Sequence, residues 1–193
     1  MIGAVLAGGA GRRLGRGSKP GAQLAGRPLV AYPVEALGAV CERVAVVCKP
    51  DTELPELAAE RWEEPESPRH PVVGIVCALE RAGGPVLVCA ADMPFVTADA
   101  CRTLMAKAGT ADAAAVVTVA GGVLQPVLGL YAPSALEALR AAAPDAPLTE
   151  TVEALDPIRV ALPPGLVQSV NTPEDLAEAE TALSSGGAAP PAR

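Results

Sequence analysis

Ten residues near the amino terminus, LAGGAGRRLG at positions 6–15, are followed closely by Lys19. Glycines directly after a strand let backbone N–H groups come close to phosphate oxygens. Arg12 and Arg13 bring forked guanidinium groups and Lys19 a point charge, a set of cations that suits a triphosphate. The segment is not a dinucleotide fingerprint: Gly9 and Gly11 are correctly spaced, but Leu14 stands at the third glycine position. Nor is it a P-loop, because Lys19 lies between Ser18 and Pro20.

A second candidate is Asp92, in VLVCAADMPFV at positions 86–96. A carboxylate just past a buried strand is well placed to hold Mg²⁺, which prefers one or two carboxylates together with phosphate oxygens and water. In a phosphoryl transfer such an ion offsets charge on the reacting phosphate and on departing pyrophosphate.

Both features depend on strands to place them. Residues 2–7 form a short apolar run closed by Gly8-Gly9, which reads as a buried strand. Positions 8–26 read as a loop. Residues 28–40 read as a helix opened by Pro28 and kinked at Pro33. Further strands are expected at 44–47, 86–90, 113–119, 127–131 and 158–161, with a short one at 167–169. Helices are expected at 54–59, 72–81, 98–107 and 134–143, and 62–71 reads as loop. Thr97 caps the helix over 98–107. The last helix, to about residue 182, has Thr172 as N-cap, Pro173 first in the helix and Asp175 closing a capping box.

Strands alternating with helices, the strands apolar throughout, predict an α/β fold with a mostly parallel sheet covered on both faces. Ligands in such sheets bind beyond the carboxyl ends of the strands, where the glycine loop and Asp92 both fall. One domain is expected over 1–183. Residues 184–193, SSGGAAPPAR, cannot form a core and read as a disordered tail.

Composition narrows the function classes. The 193 residues carry 15 cations and 22 anions, a net charge of −7, which disfavours nonspecific binding of long polyanions. Aromatic residues make up only 2%, against any site that reads nucleic-acid bases by stacking. Positions 1–34 contain no Asp or Glu but hold Arg12, Arg13, Arg16, Lys19 and Arg27, a cationic patch suited to a small anion. The five cysteines form no C-x-x-C pair and read as small buried hydrophobes in a reducing compartment. Zinc ligand spacing is missing, and His70 is the one histidine. Without a signal-like start or an apolar run of membrane-spanning length, a cytoplasmic protein is expected.

The chain resembles the molybdenum cofactor guanylyltransferase family. The resemblance rests on LAGGAGRRLG with Lys19, on Gly26-Arg27-Pro28-Leu29 leading into a helix, on Asp92-Met93-Pro94 after a strand, and on VNTPEDL at 170–176. These pieces come in the family's order and span nearly the whole chain. The resemblance implies a Rossmann-like three-layer domain of the nucleotide-diphospho-sugar transferase type. It implies that Gly8, Gly9, Arg13, Gly15 and Lys19 bind the NTP, that Leu6 and Ala7 present backbone groups to the purine edge, and that Asp92 holds Mg²⁺. Segment 70–74 would border the nucleotide through Gly74. Glu63 or Glu64 would seat guanine or ribose, Gln125 would lie near the pterin, and Asn171 near the acceptor end of the cleft. The implied substrates are GTP and molybdopterin, with transient contact to molybdenum cofactor insertion or delivery proteins. Departures from the family pattern are Ser18 for an acid, His70 for a glycine, Gln125 for a histidine, and a Glu for an Asp at 63–64.

The expected mechanism is in-line transfer: an acceptor phosphate oxygen attacks the α-phosphorus and pyrophosphate leaves. A phosphate nucleophile is already ionised, so Arg13, Lys19 and Asp92 act by positioning and charge stabilisation. The alternatives are cytidylyl transfer, transfer to another phosphorylated acceptor, and a degenerate protein that binds nucleotide or cofactor without turnover.

Overall fold

In the computed structural model, residues 1–9, 19–109, 113–143 and 145–184 are described. Strand β1 (Ile2–Leu6) is followed by a two-strand ribbon, β2 (Gln23–Leu24) and β3 (Arg27–Pro28), and by helix α1 (Ala31–Gly38). Then come β4 (Arg43–Cys48), β5 (Glu60–Glu63), α2 (Pro71–Ala82), β6 (Val86–Ala90) and α3 (Ala98–Ala108). The second half adds β7 (Ala115–Ala120), β8 (Val123–Tyr131), α4 (Leu136–Ala141), α5 (Leu148–Glu153), β9 (Ile158–Ala161) and α6 (Pro173–Ser184).

Seven strands form one sheet in the order β5-β4-β1-β6-β8-β7-β9. All run parallel except β8, which pairs antiparallel with both β6 and β7. Ala4 of β1 lies between Ala45 of β4 and Val88 of β6. The strands progress outward from β1 through β4 to β5, then resume on its other side at β6. This reversal opens a crevice at the carboxyl ends of β1 and β6, the place where open α/β sheets take ligands.

Alternate residues of each strand point to opposite faces. Val5, Val46, Leu87 and Cys89 pack with Leu37 of α1 and with Cys101 and Leu104 of α3 on one face. Ala4, Val47 and Val88 pack with Ile75 and Leu79 of α2, Leu139 of α4 and Val152 of α5 on the other. The central strands β1, β4 and β6 are thus covered on both faces, which is why they read as nearly continuous apolar runs.

The expected α/β architecture is present, with local corrections. Pro28 belongs to β3, and α1 begins three residues later. Pro33 is the third residue of α1, within the first turn, where a missing N–H leaves no helical bond unmade; the expected kink has no cause there. No helix forms at 54–59, and the charged stretch ERWE forms β5 rather than loop. β5 is an edge strand that buries only Trp62, so polar residues are tolerated on it. The strands expected at 113–119 and 127–131 form one hairpin, turned by Gly121 and Gly122 with φ of 57° and 82°. Helix α5 arises where the sequence signalled nothing. Residues 164–167 form a 3₁₀ turn, so the short strand expected at 167–169 is not present.

The end caps follow expectation. Thr97 Oγ1 accepts from the Ala100 amide at 3.2 Å. Thr172 Oγ1 accepts from the Asp175 amide at 3.1 Å, and Asp175 Oδ2 accepts in return from the Thr172 amide at 2.9 Å. Helix α6 packs against the ribbon in a third cluster of Leu24, Leu29, Phe95, Val170 and Ala179.

Candidate functional site

A cavity of about 230 Å³ opens at the crevice. Among the described residues, its walls come from four places. The end of β1 supplies Leu6, Ala7, Gly8 and Gly9. The end of β6 supplies Ala90, Ala91 and Asp92. The segment from the end of β5 into α2 supplies Glu64, Arg69, His70, Pro71 and Gly74, and the rest comes from Pro20, Val47, Val127 and Ser169.

Sheet hydrogen bonding carries past the strand ends and stiffens these walls. The Ala7 amide donates to the Val47 carbonyl at 2.8 Å, and the Ala91 amide to the Leu6 carbonyl at 3.0 Å. Asp92 therefore follows directly from a residue tied to the end of β1. Its carbonyl accepts from the Val170 amide at 2.8 Å, which brings the segment before α6 to the cavity edge. Asn171 is exposed, one residue further on, and does not line the cavity; Ser169 does. Gln125 lies on β8 opposite Thr118 and is also not among the lining residues, although Val127 is.

Glu64 is placed by the register of the edge strand. Cys48 of β4 stands opposite Glu63 of β5, so Lys49 and Glu64 form the next rung, and the Glu64 amide donates to the Cys48 carbonyl at 2.9 Å. Lys49 Nζ sits 3.2 Å from Glu64 Oε1, with side-chain exposures of 0% and 4%. Burial pushes the Glu64 carboxyl above its usual range, and the Lys49 charge opposes that shift. Glu64 Oε2 is buried without a hydrogen-bond partner among the described residues.

Gly8 and Gly74 are glycines for steric reasons. A Cβ on Gly8 would overlap Glu64 Oε1, and one on Gly74 would lie 3.0 Å from Leu6 Cδ2 and 3.1 Å from Glu64 Oε2. His70 is the N-cap of α2, where its Nδ1 accepts from the Val72 amide at 3.2 Å. That bond leaves the ring proton of the neutral form on Nε2. Arg69, beside it, pairs with Asp51 at 2.7 Å.

The structure thus brings Leu6, Ala7, Gly8, Gly9, Glu64, Gly74 and Asp92 together around one cavity. Arg13, Gly15 and the side chain of Lys19 lie outside the described residues. Pro20, next to Lys19, is buried and lines the cavity. Sequence reasoning overlooked Lys49. Its signal was a lone charge ending the apolar run of β4, the same pattern that singled out Asp92 at the end of β6.

The family model of the MobA-like NTP transferase domain matches residues 3–158. A molybdenum cofactor guanylyltransferase of Cereibacter sphaeroides is 35% identical, over 95% of this chain and 97% of its own. One from a Bradyrhizobium species is 30% identical, over 92% of this chain and 91% of its own. Among solved structures, the molybdopterin-guanine dinucleotide biosynthesis protein A of Archaeoglobus fulgidus aligns with a TM-score of 0.76 at 27% identity, covering 96% of this chain and all of that one. A 2-C-methyl-D-erythritol 4-phosphate cytidylyltransferase from Thermus thermophilus shares the fold, with a TM-score of 0.70 at 20% identity over 95% of this chain and 98% of that one.

Proposed function

The chain belongs to the MobA-like NTP transferase family and is a nucleotidyltransferase, and from that premise we propose that it transfers GMP from GTP to the terminal phosphate of molybdenum-loaded molybdopterin. The observation that carries this reading is the shared cavity: the glycine-bearing end of β1, Asp92 and Glu64 all line it.

In this reading the acceptor phosphate oxygen bonds to the α-phosphorus. The bond from that phosphorus to the β-phosphate bridging oxygen breaks, and pyrophosphate departs. Gly8 and Gly9 let the backbone approach the phosphates, with Gly15, Arg13 and Lys19 on the same loop, the two cations neutralising phosphate charge. Leu6, Ala7, Glu64 and Gly74 border the base and ribose. Gln125 and Asn171, each two residues from a lining residue, take the acceptor side. No general base is required, because the attacking oxygen is already ionised. Positioning and fixed charge supply the rate acceleration.

Asp92 suits Mg²⁺. It is a hard oxygen donor among the residues that line the cavity, and Mg²⁺ prefers one or two carboxylates together with phosphate oxygens and water. Held by Asp92, the ion would offset charge on the reacting phosphate and on the leaving pyrophosphate. Transient contact with proteins that insert or deliver the molybdenum cofactor accompanies this role. No helix of the described residues is long and apolar enough to cross a membrane.

The test is incubation of the purified chain with Mg²⁺, molybdenum-loaded molybdopterin and each of the four NTPs, following pyrophosphate release and the nucleotide-bearing product. Turnover with GTP alone supports the proposal. Turnover with CTP moves the base assignment, and nucleotide binding without turnover on any NTP overturns the catalytic reading.

A further inference from the structure

Lys49 is a fully buried cation, and the roles proposed above do not use it. Its ammonium has three protons to place. It donates to the carbonyls of Pro65 at 2.5 Å and Pro68 at 3.0 Å, and faces Glu64 Oε1 at 3.2 Å. Those contacts tie together the end of β4, the segment after β5 and one oxygen of the Glu64 carboxylate. The other oxygen, Oε2, is buried and has no hydrogen-bond partner among the described residues. Gly8 and Gly74 close tightly on the two oxygens, so the carboxylate has little room to turn.

A buried carboxyl without a cation tends to take up a proton, and a protonated carboxyl presents a donor as well as acceptors. An ionised one only accepts. The state of Glu64 therefore sets how strongly it meets a base: the ion accepts from amino and ring N–H groups through either oxygen, in charge-assisted bonds about twice as strong as neutral ones.

We propose that Lys49 is a positioning residue for base selection, holding Glu64 ionised and oriented so that Oε2 accepts from the 2-amino group of a bound purine nucleotide. The inference rests on the reading of Glu64 as a nucleotide contact. Lys49 itself touches no substrate. It acts through Glu64, and selects GTP over the otherwise identical ITP, which lacks the 2-amino group.

The experiment uses the full chain with Mg²⁺ and a fluorescent N-methylanthraniloyl-GTP probe, displaced by GTP or by ITP. Wild type is expected to prefer GTP by about 10- to 100-fold, the range of one charge-assisted hydrogen bond. In Lys49→Met the ratio of the two affinities falls close to one, chiefly because GTP weakens. A purely structural role would weaken both nucleotides equally and leave the ratio unchanged, which would overturn the inference. Glu64→Leu, which removes the acceptor altogether, separates the two layers. If it keeps wild-type selectivity, the underlying reading of Glu64 fails. If it loses selectivity while Lys49→Met keeps it, only the role of Lys49 fails. Should Lys49→Met not fold, Glu64→Gln and the double variant Lys49→Met/Glu64→Gln decide. Equal selectivity and GTP affinity in those two supports action through Glu64, and a further loss in the double variant overturns it.

Discussion

The Val170 amide donates to the Asp92 carbonyl at 2.8 Å, joining the segment that leads into the last helix to the turn that carries the candidate metal ligand. Val170 is buried with Leu24, Leu29 and Phe95, and Phe95 lies three residues beyond Asp92. The carboxyl-terminal helix, the ribbon after the glycine loop and the Asp92 turn thus share one small core.

Asp92 is half-buried at the cavity, and its replacement by asparagine nearly preserves its volume. Asp92→Asn should leave the thermal transition close to wild type. Pyrophosphate release should fall by about 100-fold or more, the scale of losing one electrostatic contributor to a transition state. Assaying wild type and Asp92→Asn across a Mg²⁺ titration checks this. Undiminished turnover would remove Asp92 from the metal role.

The cap on α6 should matter to the site as well as to the helix. Thr172→Ala removes the hydroxyl that accepts from the Asp175 amide, at a cost of about 1 kcal/mol. For a chain of this size that lowers Tm by roughly 2–4 °C, measurable by calorimetry. Because Val170 adjoins the cap, nucleotide affinity should drop with it, whereas removing the exposed Thr103 hydroxyl on α3, which donates to the Asp99 carbonyl of its own helix, should leave affinity unchanged.

Gly8→Ala places a methyl group against Glu64 Oε1. The carboxylate or the end of β1 must shift, and nucleotide binding by equilibrium displacement should weaken by at least about 10-fold, from a misplacement on the order of 1 Å. Adding Glu64→Ala to Gly8→Ala should relieve the collision and recover thermal stability, though not base selectivity.

Removing one member of the buried pair should be costly. Lys49→Met leaves Glu64 without its cation and should reduce unfolding free energy by about 3–5 kcal/mol, as read by urea denaturation. The double variant Lys49→Met/Glu64→Gln should regain most of that loss, since it leaves no unpaired charge.

The cysteines give a pH-dependent prediction. Burial pushes the Cys101 thiol up to about 12, from an ordinary value of 9.0. A thiol raised by folding contributes stability that is fully present below 9 and lost as pH rises from 9 toward 12. Urea midpoints should therefore decline over that alkaline range, and Cys101→Ser should flatten the decline. At neutral pH, alkylation followed by mass spectrometry should modify the half-buried Cys41 first, with Cys48, Cys77, Cys89 and Cys101 reacting only on unfolding.

Much of this protein is legible in one dimension. Residues 2–6, 44–48 and 86–90 carry no polar side chain because both faces of the strands they form are covered, and such runs announce a buried parallel sheet. Gly8-Gly9 and Asp92 each follow a strand directly, so their meeting at one sheet edge needed only the rule that ligands gather at carboxyl ends. Thr172, Pro173 and Asp175 declare their helix start through chemistry confined to four residues. What lay beyond the sequence depended on long-range register. ERWE carries no strand pattern, because an edge strand exposes most of its side chains, and only pairing with β4 makes it β5. That pairing sets Lys49 beside Glu64, fifteen residues away, and places Glu64 in the cavity wall. The sequence determined which groups the site contains. The alignment of two strands decided which of its charges meet, because a one-residue slip would turn each side chain to the opposite face of the sheet.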